Sequence, residues 1–207
     1  MIVLLGDVHG AWEWAFQVIA RAKGYTPGAV PVVQVGDLEW RPDHPPRPAP
    51  WPIHWIEGNH DHLPSLLGLS EATEVAPHWI YCPRGTVLEL DGRQVGFFGG
   101  ARSIDRAVRV KGESWWPEEE PNWEEARRFQ GQEVDLMATH SPPASVVRAM
   151  GFDYDAEEKA SGIVEHLWGA LGRPSVVSGH MHRRFRLGNV LVLGDLDVDI
   201  LGDRRSS

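Results

Sequence analysis

Five short apolar runs, each cut off by a loop carrying aspartate, asparagine or histidine, constrain this chain more than anything else in it. Ile2–Leu5 runs into Gly6-Asp7-Val8-His9-Gly10, Pro31–Val35 into Gly36-Asp37, and Ile53–Ile56 into Gly58-Asn59-His60-Asp61. Val134–Ala138 ends in Thr139-His140, and Ser175–Ser178 in Gly179-His180-Met181-His182. The continuous run Ile2–Leu5 reads as a strand buried on both faces, and the other four as further short strands. In open α/β sheets, ligands gather at the carboxyl ends of the strands. The five loops are therefore expected on one rim, although they are far apart in sequence.

Between these runs the pattern predicts further elements. Residues 11–23 read as a helix, with Trp12, Phe16 and Ile19 on one stripe, Ala15 and Ala22 beside it, and Gly24 as the stop. Six prolines in residues 41–52 exclude a helix or central strand there and predict an extended surface excursion. A short helix is expected over 62–68. Thr86–Leu90 and Gln94–Phe98 flank Asp91-Gly92, a hairpin signal. Residues 122–130 predict a short helix capped by Asn122, Pro142-Pro143 breaks the chain, and 156–169 read as helical. The tail, 184–201, reads as two or three antiparallel strands. No internal repeat is present.

At 207 residues the chain suits one domain, 1–207, with one sizeable core. No apolar run approaches a membrane span, and the N-terminus lacks the features of a signal peptide. Cys82 is the one cysteine, which excludes an intrachain disulfide and a cysteine-rich metal site. A cytoplasmic location is the default expectation. The net charge of −9 argues against bulk nucleic-acid binding, which favours basic domains. Ten tryptophans are read as core and rim packing rather than as a stacking platform.

The chemically rich residues are Asp7, His9, Asp37, Asn59, His60, His140, His180 and His182. Each alone has a bland explanation: Gly-Asp is a common turn, and a lone histidine is usually a satisfied or surface residue. As a set, imidazole and carboxylate donors suit divalent transition metals such as Mn, Fe, Zn, Ni or Co. Two such ions about 3.5–4 Å apart form a clamp for in-line displacement at phosphorus. A bridging carboxylate must hold them that close, and Asp37 is the natural bridge. In Asp7-Val8-His9 and His180-Met181-His182, alternate side chains leave an extended segment on the same side.

The ordered set Asp7-Val8-His9, Gly36-Asp37, Gly58-Asn59-His60-Asp61, His140 and Gly179-His180-Met181-His182 resembles the calcineurin-like metallophosphoesterase superfamily, its small bacterial or phage-type members in particular. The resemblance spans residues 6–182. It implies an α/β fold, a four-layer αββα sandwich of two mixed sheets flanked by helices. It also implies two divalent metal ions, manganese foremost: Asp7, His9 and His182 on one, Asn59, His140 and His180 on the other, Asp37 between. The implied reaction is hydrolysis of a phosphodiester or phosphomonoester by a metal-bridging hydroxide, with His60 as general acid.

The protein-phosphatase branch of the superfamily carries a second aspartate where Trp40 stands here, and a glutamate where Asp61 stands. A Ser/Thr protein phosphatase is therefore disfavoured, and Glu39 and Asp61 are left as candidates to orient His60. Arg41 matches an arginine that contacts phosphate in that branch. Arg102 and Arg106, with Arg109 beyond them, follow a strand end and are candidates for substrate binding, since guanidinium suits bidentate phosphate recognition. The bland alternative for them is surface ion pairing with Glu118–Glu120. A small phosphate ester, a nucleotide among them, is the expected substrate. The alternatives are a non-catalytic protein-interaction module of the same fold, and a nuclease.

Overall fold

The computed structural model describes residues 1–22, 24, 30–152 and 159–202. Its strands are β1 (Ile2–Leu5), β2 (Val32–Gln34), β3 (Ile53–Trp55), β4 (Thr73–Ala76), β5 (Trp79–Tyr81), β6 (Thr86–Leu90), β7 (Arg93–Phe98), β8 (Leu136–Thr139), β9 (Ser175–Ser178), β10 (Phe185–Leu187), β11 (Val190–Val192) and β12 (Val198–Leu201). Four α-helices accompany them among the described residues: α1 (Trp12–Ala22), α2 (Trp123–Arg127), α3 (Ala144–Ala149) and α4 (Lys159–Ala170). The strands form two six-stranded mixed sheets, ordered β12-β1-β2-β3-β5-β4 and β10-β11-β9-β8-β7-β6.

Side-chain alternation along the strands explains the layering. Ile2 and Leu4 of β1 point into a core shared with Val95, Phe97, Leu136, Ala138 and Val177 of the other sheet. Val3 and Leu5, one residue out of phase, meet Ala15 and Ile19 of α1. On the far side, Met137 and Val176 pack against Val146 and Val147 of α3 and Ile163, Val164 and Leu167 of α4. Three apolar cores thus separate four layers, α1, sheet, sheet and α3–α4, as an αββα sandwich requires. No helix among the described residues is long and apolar enough to cross a membrane.

All five runs read as strands are strands, and β1, β2 and β3 run parallel, as do β8 and β9. Their carboxyl ends therefore share a direction within each sheet. The hairpin at Asp91-Gly92 is present, with both turn residues in the left-handed region (φ 53° and 68°) as a two-residue type I′ turn demands. Asn122 caps α2 in a capping box with Glu125, though the helix ends at Arg127 rather than 130.

Other expectations need correction. Residues 62–68 hold only a 3-10 turn, Leu63–Ser65, with proline in its first positions. The β4–β5 hairpin was not anticipated: Thr73–Ala76 is an edge strand with one large apolar residue, so its periodicity is faint. Helix α3 begins directly after Pro142-Pro143, because proline's fixed φ suits a helix start as well as a break. The tail holds three strands, with β10 antiparallel to β11 as expected, but β11 also runs parallel to β9, and β12 crosses to the other sheet, antiparallel to β1. Of the predicted helix 156–169, residues 156–158 lie outside the described residues, as does 23 at the end of α1.

A buried ion pair ties the two sheets together behind the rim. Glu57, just after β3, accepts hydrogen bonds from Arg84 Nε and from the Tyr81 hydroxyl (2.9 Å). Arg84 also donates to Glu125 (3.0 Å) and to the carbonyls of Glu118 and Glu119 (3.0 and 3.1 Å). The Glu57 carbonyl accepts from the N–H of Gly100, beyond β7 (2.8 Å). Removing one member of a buried pair strands the other charge. Arg84→Ala is expected to lower the unfolding free energy by about 3–5 kcal/mol, read from denaturant melts.

Candidate metal centre

The loops after β1, β2, β3, β8 and β9 meet at the junction of the two sheets. Asp7 Oδ2, from one sheet, accepts from the backbone N–H of His180, from the other (2.9 Å). Asp37 Oδ1 accepts from the N–H of His60 (2.9 Å) and lies 3.4 Å from His140 Nε2. Asn59 Oδ1 is 3.3 Å from the same Nε2. His140 Nδ1 is 2.7 Å from the Val35 carbonyl, which only accepts, so Nδ1 carries a hydrogen and Nε2 is the ring atom turned to the site. The His9 ring stacks on that of His182 at 5.1 Å and meets that of His60 edge-on at 5.2 Å.

One donor atom from each of Asp7, His9, His182 and Asp195 lies within 4.8 Å of the others, and the same holds for Asp7, Asp37 and His140. Sequence-based reading missed Asp195. Its Oδ1 sits 2.6 Å from His182 Nδ1, which fixes that ring and leaves Nε2 as the other donor atom. The signal was present: Asp195 follows β11 in the same strand-then-aspartate pattern as the other loops.

Several observations fit these residues to divalent cations. Asp7 Oδ1, Asp37 Oδ2 and His9 Nε2 are buried atoms with no hydrogen-bond partner. Buried carboxylate oxygens are otherwise costly unless paired or coordinating. Burial pushes the Asp7 carboxyl well above its usual range, while its neighbour Asp37 is held below that range, burial being outweighed by His140. Burial disfavours charge on His140 too, yet Asp37 and Asp7 raise it to about 10. Burial and the charge of His140 lower His180 to about 3. Two carboxyl groups are thus packed at one buried site where burial disfavours the charge of Asp7, a cost that divalent cations would relieve.

The backbone is shaped for the same purpose. His9, Asp37, His180 and His182 all adopt left-handed φ values, of 46°, 54°, 66° and 49°. Such conformations cost of order 1–3 kcal/mol each and concentrate at functional sites. Two glycines leave the donors room. A Cβ on Gly179 would stand 2.0 Å from Asp7 Oδ1, and one on Gly58 2.0 Å from Asp37 Oδ1. Gly179→Ala is expected to displace the Asp7 carboxylate and weaken metal uptake at least about 10-fold, the scale of a disturbed ligand orientation. Unchanged uptake by calorimetric titration would count against that geometry.

His60 itself is half-buried, and its ring lies against the Arg109 guanidinium, 2.7 Å from Nη2 to Nε2. Burial lowers its pKa, with Asp37 opposing and Arg109 adding to the effect. Neither expected carboxylate fills the orienting role. Both Asp61 oxygens are spent on backbone amides, Oδ1 on Trp40 N–H and Oδ2 on Gly58 N–H (2.7 Å each). Burial raises Asp61 to about 7. Glu39 is exposed. Trp40 is buried in the α1-side core, its indole N–H on Ser65.

The arginines also sort differently from the sequence-based expectation. Arg106 is held by Glu119 and Glu120 and covers the face of Trp115, close to the bland alternative. Arg102 and Arg41 are exposed. Arg109 is the one that reaches the metal loop: besides His60, it donates to the Asn59 carbonyl and the Ser103 hydroxyl (3.3 Å each). A cavity of about 880 Å³ opens elsewhere, between α2 and α4, and none of these residues lines it.

No curated protein matches this chain. The profile of the family described as calcineurin-like phosphoesterase matches residues 1–184, the stretch that carries β1 to β9 and the donors through His182. Convergence of these donors at the strand ends and a match over most of the chain lead to one conclusion: the chain belongs to the calcineurin-like phosphoesterase family, and its donor cluster makes it a metal-dependent phosphoesterase in general terms.

Proposed function

We propose that this chain hydrolyses a small phosphodiester or phosphomonoester, a nucleotide among the candidates, at a centre of two divalent cations. Asp7, His9 and His182 would hold one cation, with Asp195 in reach. Asn59, His140 and His180 would hold the other, with Asp37 shared. The observation that carries this is Asp37: one oxygen lies 3.4 Å from His140 and the other 3.8 Å from His9, so a single carboxylate faces both donor groups. Nitrogen and oxygen donors without thiolate suit Mn, and also Fe, Zn, Ni or Co.

When bound, the cations supply positive charge to the phosphoryl oxygens and acidify the attacking water. The chain's own residues do the rest. Arg109 offers a guanidinium beside the metal loop for the non-bridging oxygens. His60 gives its ring proton to the leaving oxygen. Its lowered pKa makes the imidazolium a stronger acid, and the negative charge of the bound phosphate favours the protonated ring. No serine or cysteine nucleophile is needed.

Hydrolysis of bis(4-nitrophenyl) phosphate and 4-nitrophenyl phosphate checks this. Release of nitrophenolate with Mn²⁺, preferentially from the diester, is expected; chelator should abolish it and fresh Mn²⁺ restore it. Inactivity on both esters with Mn, Fe, Zn, Ni and Co would overturn it in favour of a non-catalytic interaction module.

A further inference from the structure

An asparagine amide has two ends, and only its oxygen can hold a cation. The groups behind Asn59 leave one orientation open. Ser103, beyond β7, is fully buried, and its hydroxyl has three partners. Asn59 Nδ2 and Arg109 Nη1 lie 3.3 Å away, and Glu119 Oε2 lies 2.9 Å away. A hydroxyl gives one hydrogen and accepts through two lone pairs. Arginine only donates. Glu119 accepts: its Oε1 already takes the Ser103 backbone N–H (2.7 Å) and Arg106 Nη2 (3.3 Å), and its Oε2 takes the hydroxyl hydrogen. One lone pair on Ser103 remains, and it calls for a donor. At Asn59 that donor is Nδ2, which turns Oδ1 to the far side, 3.3 Å from His140 Nε2.

We propose that Ser103 and Glu119 are a positioning pair that holds the Asn59 amide oxygen-first toward the cation it shares with His140 and His180. This rests on the two-cation reading above and adds what sets the polarity of one ligand. Neither residue touches the cation or the reacting atoms. The pair acts through hydrogen-bond direction, which an isosteric change reverses. In Glu119→Gln, the Ser103 N–H and Arg106 still require Oε1. Nε2 then faces the Ser103 hydroxyl and donates to it. The hydroxyl hydrogen is released toward Asn59, which satisfies it only by presenting oxygen to Ser103 and its NH₂ to the site.

Calorimetric titration of the metal-free protein with Mn²⁺, with EPR spectra at each step, tests this. The wild type is expected to bind two Mn²⁺ and give the spectrum of an exchange-coupled pair. Glu119→Gln and Ser103→Ala are expected to bind one Mn²⁺ as the wild type does. The other should bind about 10–100-fold more weakly, the scale of losing a ligand-orienting partner. With two equivalents added, an isolated Mn²⁺ signal should then dominate, with the unfolding midpoint of the metal-free protein unchanged. Should Ser103→Ala fail to fold, the isosteric Glu119→Gln carries the test. Wild-type affinity at both sites in Glu119→Gln would overturn the positioning pair alone. Equal weakening at both sites would overturn it too, in favour of a general scaffold role. A wild type that binds a single Mn²⁺ would overturn the two-cation reading, and the pair with it.

Discussion

Asp37→Ala is expected to empty both halves of the centre and to lower kcat/KM by about 10³-fold or more, since several kcal/mol of charge stabilisation disappear together. The side chain is fully buried on a left-handed backbone. One oxygen fixes the His60 N–H and faces His140, and the other has no hydrogen-bond partner. Its loss therefore removes a donor from each group and the nearest countercharge to His140. Alanine at φ 54° adds backbone strain, so Asp37→Asn, which tolerates that conformation, separates charge from shape. Both variants should lose both cations by elemental analysis. One cation retained at wild-type affinity would remove Asp37 from its shared position.

His60→Ala is expected to do the opposite to metal and the same to turnover. Its backbone N–H, which holds Asp37, survives the substitution, so the donors should keep their places. Turnover should fall about 10²–10⁴-fold, the range for loss of a general acid. The penalty should also depend on the leaving group. A nitrophenolate leaves without much help, whereas an alkoxide needs the proton, so an alkyl ester should suffer more. Equal losses on both esters would point to binding rather than proton transfer, and loss of metal would contradict an unmetallated His60.

Much of this was legible in the sequence because the relevant features are local. Ile2–Leu5 shows its burial on both faces in its composition alone, as does Leu136–Ala138, and the donors follow each run closely. What remained hidden depends on contacts across the fold. Arg109 lies 49 residues from the histidine it touches, in a segment with no periodicity, so nothing local separates it from Arg102 or Arg106. Glu119 sits in an acidic run that reads as solvated, yet it is buried against Ser103. Asp61 resembles a catalytic carboxylate by its neighbours, but its oxygens close the loop on Trp40 and Gly58. Asp195 follows an apolar run as the other donors do, but its place on the rim depends on β11 running parallel to β9, a direction that a tail of alternating apolar stretches does not reveal.

The shared two-cation centre is tested most directly by metal content. Protein stripped with chelator, reloaded with excess Mn²⁺ and desalted should carry two Mn per chain by elemental analysis, and His60→Ala should carry the same two. One Mn per chain in the wild type, or none, would contradict it.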